Sequence, residues 1–237
     1  MSAVVEVWRW LTDVIQRLLF PVFCLRCGVE GDFLCAACQK TVPPVPVQVC
    51  VFCSVSSPNG RTCSACSRHA LDGVCVRGMY DDWSWRVLIT AWKFHGAAIT
   101  PLLSRLLEDS IAVLPESYRT GKFMVVPVPL ARRRQRERGR NQSAELANAL
   151  VGHQLIVAAL TRVRETAQQS QLSKKDRIRN VHAAFKANPA LVQPDTNYLL
   201  IDDVVTTGAT LEQAAQALKE VGATSVWAVT LARSRLL

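Results

Sequence analysis

Two adjacent carboxylates, Asp202 and Asp203, follow the apolar run Tyr198–Ile201, and a small, hydroxyl-rich stretch follows them: Thr206, Thr207, Gly208, Ala209 and Thr210. The apolar run reads as a buried strand. Thr210–Val221 reads as a helix with Gly222 as its stop. A loop of this kind at the carboxyl end of a parallel strand faces the ligand crevice of an α/β sheet. Its backbone N–H groups and hydroxyls can converge on one phosphate, and the helix dipole adds to the attraction. Gly208 lets the backbone approach closely. The carboxylates would repel that phosphate and suit a neighbouring sugar diol, so the whole describes a ribose 5-phosphate site. The competing reading is a ligand-free joint with an acidic rim. The loop is neither G-x-G-x-x-G nor G-x-x-x-x-G-K-[ST], so the usual signatures of dinucleotide binding and ATP hydrolysis are absent.

A second cluster is basic. Arg132, Arg133, Arg134, Arg136, Arg138 and Arg140 crowd together just after the apolar run Phe123–Pro127. Such a loop repels itself unless an anion is near, and arginine forks hold phosphate oxygens bidentately. A pyrophosphate leaving group with Mg²⁺ would fit. Its departure from ribose C1 would pass through an oxocarbenium-like state, so charge stabilisation on the departing group would be the main catalytic task. A solvated basic loop, or one that docks nucleic acid without chemistry, is the alternative. The net charge is +9, but residues 122–142 alone carry +6 and residues 162–186 carry +5, which leaves the rest slightly acidic. A localised excess of this kind suits an anionic ligand.

The third constellation is metal-like. Eight of the nine cysteines form four C-x2-C pairs: Cys24 with Cys27, Cys35 with Cys38, Cys50 with Cys53, and Cys63 with Cys66. Two such knuckles complete a tetrahedral S4 zinc site, which predicts about two structural Zn²⁺ ions. Consecutive and nested pairings of the knuckles both fit the spacing. Thiol–disulfide chemistry and an iron–sulfur cluster are weaker rivals, since neither needs four regular pairs. Gly28 stands where a knuckle turn favours a left-handed residue; Gln39, Ser54 and Ser67 fill the equivalent places. Cys75 reads as a small buried residue, and His69, three residues after Cys66, as a solvated side chain rather than a ligand.

These motifs carry a resemblance. Asp202–Thr210 resembles the phosphoribosyl-pyrophosphate (PRPP) loop of type I phosphoribosyltransferases. Val126–Pro129 (V-P-V-P), then Arg138, Gly139, Arg140, Asn141 and Gln142, resemble the P-V-P and R-G-F-N-Q signatures of the ComF/GntX family. So do Arg162, Arg164, Glu165 and Thr166, followed by Gln169, Leu172, Arg177, Asn180 and Phe185, and the pair Lys93–Phe94. The resemblance implies that Asp202 and Asp203 hold the ribose hydroxyls. It places the 5-phosphate on the Thr206–Thr210 loop, and the pyrophosphate, with Mg²⁺, on Arg132, Arg136, Arg138, Asn141 and Gln142. It implies phosphoribosyl transfer to an acceptor it does not name, and a link to DNA uptake in natural transformation. Two other readings stay open: a non-catalytic competence factor that binds single-stranded DNA or a DNA-uptake helicase, and a PRPP-sensing regulator. The family usually has an aromatic residue where this chain has Arg140, which changes either the packing of the loop or the charge offered to the anion.

The elements that must position these groups are legible as periodicity. Val74–Tyr80, Phe123–Pro127, Tyr198–Ile201 and Ser225–Leu231 read as strands. Asp82–Phe94, residues 98–110, Asn141–Leu150 and Thr210–Val221 read as helices. Their alternation predicts an α/β fold, a mostly parallel sheet of the type I phosphoribosyltransferase kind with a small N-terminal zinc-ribbon module. The expected organisation is an amphipathic helix over 1–20, a double zinc ribbon over 21–70 and a phosphoribosyltransferase-like domain over 71–237. The ribbon is short of large apolar residues and broken by Pro43, Pro44 and Pro46, so it needs a metal staple. Of 237 residues, 49% are apolar and 20% charged, which excludes disordered and fibrous classes. Glu6, Arg9, Asp13 and Arg17 interrupt the first apolar stretch, so neither a membrane span nor a secretion signal is expected, and the location expected is cytoplasmic. Oligomeric state is not legible.

Overall fold

A computed structural model describes residues 7–8, 21–131, 135–137, 139–150, 155–163 and 184–234. The chain divides into two compact units, Met1–Val42 and Pro43–Leu237. In the smaller unit, the segment 21–42 folds around the first four cysteines. A bridge joins Phe23 to Glu30, and a one-turn helix, Ala36–Gln39, carries Cys38.

The larger unit is built on a five-stranded, wholly parallel sheet in the order β1-β7-β6-β2-β3. In chain order the elements are β1 (Gly73–Met79), α1 (Trp83–His95), α2 (Thr100–Ile111), β2 (Phe123–Pro127), α3 (Gln142–Leu150) and β3 (Leu155–Ile156). Then follow β4 (Leu160–Arg162), β5 (Phe185–Ala187), β6 (Asn197–Val205), α4 (Ala209–Glu220) and β7 (Ser225–Arg233). β4 and β5 form a separate antiparallel ribbon. The central strands are apolar almost throughout because helices cover both faces: Tyr198 to Ile201 in β6 and Val226 to Ala232 in β7, with Thr230 the one polar residue among them, are all buried.

Side chains alternate between the two faces. Val74, Val76, Met124, Val126, Leu200 and Ala228 join Leu211, Ala214, Ala215 and Leu218 of α4 in one cluster. The other face takes α1, α2 and α3, whose Trp85, Leu88, Ile89, Trp92, Leu103, Leu107 and Leu146 are almost fully buried. α1 starts at Asp82, whose carboxylate accepts from the Ser84 amide at 2.9 Å and so satisfies one of the free donors of the first turn. Among the described residues, no helix is long and apolar enough to cross a membrane.

The topology fixes where a ligand can go. From β2 the chain crosses through α3 to β3, toward one edge. From β6 it crosses through α4 to β7, toward the opposite edge and over the opposite face. Neighbouring strands β2 and β6 therefore send their following loops apart, the arrangement beyond whose carboxyl ends open α/β sheets bind ligands.

Candidate functional site

Each half of the cysteine-rich segment makes its own cluster. Cys24, Cys27, Cys35 and Cys38 form one, and Cys50, Cys53, Cys63 and Cys66 the other, with ligand atoms within 4.8 Å of one another in each. Consecutive knuckles thus pair. Cys27 Sγ and Cys35 Sγ lie 3.6 Å apart, and Cys53 Sγ and Cys63 Sγ 3.5 Å. Tetrahedral zinc with Zn–S of about 2.3 Å needs about 3.8 Å between sulfurs, so four thiolates here fit a structural Zn²⁺. The first knuckle of each cluster turns through a left-handed residue, Gly28 (φ 73°) and Ser54 (φ 64°). The second knuckle of each is instead a short helical turn, Ala36–Gln39 and Ser64–Cys66, so Gln39 and Ser67 need no such conformation.

The electrostatics of the two clusters repeat. Burial raises the Cys24 thiol, but the amides of Cys35, Cys27 and Arg26 outweigh it and bring the pKa to about 6. Cys50 is likewise raised by burial and brought to about 6 by the amides of Cys63, Phe52 and Cys53. Burial and the neighbouring cysteines push Cys38 and Cys66 up to about 12. One sulfur in each cluster is thus ready as a thiolate, and another releases its proton when a metal ion takes the sulfur. Cys75 lies in β1, buried, with Sγ donating to the Asn59 carbonyl at 2.8 Å. His69 is not in either cluster; it lies against Glu212, 3.4 Å from Oε1.

Asp202 and Asp203 stand near the carboxyl end of β6, which runs on to Val205. Asp202 Oδ1 accepts from the Asp203 amide at 2.9 Å and from Ser143 Oγ at 3.2 Å. Asp203 Oδ1 accepts from the Val204 amide at 2.7 Å. Burial raises the Asp202 carboxyl and the charge of Asp203 raises it further, to about 7, against the Asp203 amide, the Ser143 hydroxyl and the Arg162 charge. After β6 the chain turns through Thr206 and Thr207 to Gly208, which is left-handed (φ 78°, ψ −3°) and stands at the head of α4. Thr206 and Thr210 are exposed, Thr207 and Ala209 half-buried and Gly208 buried. Thr207 Oγ1 accepts from the Ala209 amide at 3.3 Å. A row of amides at a helix start, beside two carboxylates at a strand end, can hold a phosphate ester next to a diol.

The arginine loop leaves β2, the strand beside β6. Pro127 pairs with Ile201, and the Val128 amide donates to the Ile201 carbonyl at 3.0 Å. Arg136 is exposed on a turn over residues 135–137. Arg132 and Arg138 lie outside the described residues, as do Arg133, Arg134 and the family-like positions Arg164 to Asn180. Asn141 caps α3 by accepting from the Ser143 amide at 3.1 Å, and its Nδ2 donates to the Val128 carbonyl. Gln142 is buried at 1% exposure. Arg140 is committed inside the protein: its guanidinium pairs with Glu145 at 2.7 Å and donates to the Trp92 carbonyl, at the end of α1. Its charge is thus shared with Glu145, at the contact of α1 with α3.

Ser143 is absent from the sequence-based site. It follows directly on Asn141 and Gln142, one helical step into α3, and its hydroxyl links the β2 side of the crevice to Asp202 on β6. The tryptophans sort as packing residues at Trp85, Trp92 and Trp227. Trp83, and Phe94 next to Lys93, are exposed at 43% and 80%.

Comparison with known proteins agrees with both halves. Residues 15–67 match the Double zinc ribbon domain and residues 136–235 the Phosphoribosyl transferase domain. The chain is 30% identical to Competence protein F of Haemophilus influenzae, over 91% of this chain and 98% of that protein. It is 28% identical to Competence protein ComFC of Bacillus subtilis, over 94% of this chain and 90% of that protein. It is 31% identical to DNA utilization protein YhgH of Escherichia coli K12, over 85% of this chain and 97% of that protein. With both of its domains matched and the similarity running through nearly the whole of these relatives, the chain belongs to the ComF family, a double zinc ribbon joined to a phosphoribosyl transferase domain.

Proposed function

We propose that the chain binds PRPP with Mg²⁺ beyond the carboxyl ends of β2 and β6 and transfers its phosphoribosyl group to an acceptor. The observation that carries this is the topological switch between those strands. It supports a site with Asp202, Asp203 and the left-handed Gly208 loop after β6 on one side and the segment that leaves β2 on the other. Thr206, Thr207, Gly208, Ala209 and Thr210 take the 5-phosphate, and Asp202 and Asp203 the ribose hydroxyls. Arg132, Arg136 and Arg138, with Asn141 and Gln142, take the pyrophosphate. Mg²⁺ supplies charge neutralisation on the pyrophosphate oxygens when bound. In the reaction the bond from ribose C1 to the pyrophosphate oxygen breaks, a bond from C1 to the acceptor forms, pyrophosphate leaves with the electron pair, and the proton displaced from the acceptor passes to water.

The names of the relatives, competence and DNA utilization, support a role in the uptake and use of DNA. Thiolate metal sites support a reducing, cytoplasmic location. A second reading rests on the +6 segment over residues 122–142 and the 80% exposed Phe94: a non-catalytic factor that binds single-stranded DNA by phosphate contacts and base stacking. A PRPP-sensing regulator would use the same anion site without turnover. The deciding experiment incubates the zinc-loaded protein with PRPP, Mg²⁺ and a panel of nucleobases and measures pyrophosphate and nucleotide formation. Product is expected. PRPP binding without any product leaves the sensing role. Absence of PRPP binding, with single-stranded DNA bound in a salt-dependent way, overturns the proposal in favour of the DNA factor.

A further inference from the structure

The second cysteine cluster reaches the phosphate loop directly through its first knuckle, and the helix behind the loop through the strap that follows its second. The first knuckle is Cys50-Val51-Phe52-Cys53. A Cβ placed on Gly208 would stand 3.0 Å from both Val51 methyl groups and 3.4 Å from the Phe52 ring, so the loop backbone is pressed against the knuckle. Val51 is 4% exposed and belongs to the same apolar cluster as β6 and α4. Arg233, the register partner of Val205 at the base of the loop, donates to the Val51 carbonyl at 3.3 Å and to Ser54 Oγ at 2.9 Å.

The second knuckle, Cys63–Cys66, runs straight into His69–Leu71. There Glu212, in the first turn of α4, accepts from the Ala70 amide at 2.8 Å and the Leu71 amide at 3.0 Å. The His69 ring stacks on the Phe52 ring, centroids 3.5 Å apart, and so ties one knuckle to the tail of the other. The segment Thr206–Glu212 is therefore walled by the first knuckle and clamped at its helical end by the 69–71 strap that follows the second.

We propose that this cluster is a positioning element of the phosphate loop, so that a metal ion at Cys50, Cys53, Cys63 and Cys66 and a sugar phosphate at Thr206–Thr210 bind with positive cooperativity. The inference rests on the phosphate-site reading above. Its physical basis is that residues 50–66 are too short to hold their own shape without the metal. Losing the ion frees Val51 and Phe52 from Gly208 and the 69–71 strap from Glu212 together. The loop then loses the wall against which its left-handed turn is set. Linkage makes the effect reciprocal: whatever the metal does for the anion, the anion does for the metal. Cys24, Cys27, Cys35 and Cys38 lie in the smaller unit and serve as the internal control.

The test follows zinc transfer from the zinc-loaded full-length protein to a chromogenic chelator, with and without saturating ribose 5-phosphate. Cys24→Ser with Cys27→Ser identifies which kinetic phase belongs to which cluster. Full coupling at a ligand concentration of 100 times Kd would slow release from the second cluster by about 100-fold. Slowing by more than about threefold, confined to that phase, is the expected result. A smaller effect on that phase, while calorimetry shows ribose 5-phosphate bound, overturns the coupling and leaves the phosphate site standing. Failure of the zinc-loaded protein to bind ribose 5-phosphate at all overturns the phosphate site, and the coupling with it. Val51→Ala with Phe52→Ala gives the converse measurement: ribose 5-phosphate affinity falls about tenfold with both zinc ions retained, and unchanged affinity counts against the proposal.

Discussion

Replacing Asp202 with asparagine should stabilise the fold at neutral and alkaline pH and do less in acid. The carboxyl is raised from 3.8 to about 7, by burial first and by Asp203 second. Between those limits the native state binds more protons than the unfolded chain. Stability therefore falls as pH rises through the window, and the full cost of the half-buried charge beside Asp203 stands above about pH 7. At about 1.4 kcal/mol per unit the whole cost is on the order of 4 kcal/mol. Integrated from about pH 5.5 to about pH 8, the part that changes is about 2 kcal/mol. The asparagine oxygen still accepts from Ser143 Oγ and the Asp203 amide, so little else is lost. The assay is urea unfolding of both proteins at the two pH values, followed by fluorescence of the buried Trp85 and Trp92. Zinc–thiolate stability also varies with pH, but it is common to both proteins and cancels in their difference. The variant should gain about 2 kcal/mol on the wild type between the two pH values. A difference that stays flat with pH, or widens in favour of the wild type, refutes the reasoning. The same substitution should weaken PRPP binding, the usual exchange of stability for function at a charged crevice.

Elemental analysis should find about two zinc ions per chain, one for each four-cysteine cluster; iron in their place would overturn the zinc-ribbon chemistry. Gly208→Ala should cost about 1–2 kcal/mol, because the residue is left-handed, and should weaken ribose 5-phosphate binding; thermal melts and calorimetry measure both. Arg140→Phe restores the family-like residue but takes the arginine from Glu145 and leaves the Trp92 carbonyl with the Gly96 amide alone, so it should destabilise by about 1 kcal/mol in urea. PRPP affinity should not change in that variant, and a tenfold loss would return Arg140 to the ligand.

The sheet was legible because its inner strands are apolar on both faces. Phe123–Pro127 and Ser225–Arg233 have no polar side to confuse the period, and each is followed or preceded by a turn signal. The ribbon of β4 and β5 was not, for two reasons. Each strand is three residues long, too short for a period of two to register. Their partners also lie more than twenty residues apart in the chain. β3 escaped likewise, as two exposed residues whose pairing depends on the neighbouring β2.

The site divides along a similar line. Groups contributed by one continuous stretch, such as Asp202 to Thr210 or a C-x2-C pair, announce their chemistry through spacing. Groups that act across the fold do not. Ser143 is an ordinary helix serine until β2 and β6 lie side by side and bring its hydroxyl to Asp202. Arg140 reads as one more cation in a basic run until Glu145 and the end of α1 claim it. Both cysteine clusters repeat the C-x2-C pair and the same paired thiol electrostatics, with seven residues between pairs in the first and nine in the second, so the ligands themselves do not say which cluster is attached to the chemistry. What separates them is the residue type between the ligands. Val51 and Phe52 in the second cluster offer an apolar surface to Gly208 where Leu25 and Arg26 occupy the matching places in the first. A repeated metal-binding pattern can thus carry two different duties, and the interligand residues, rather than the ligands, decide which copy is attached to the chemistry.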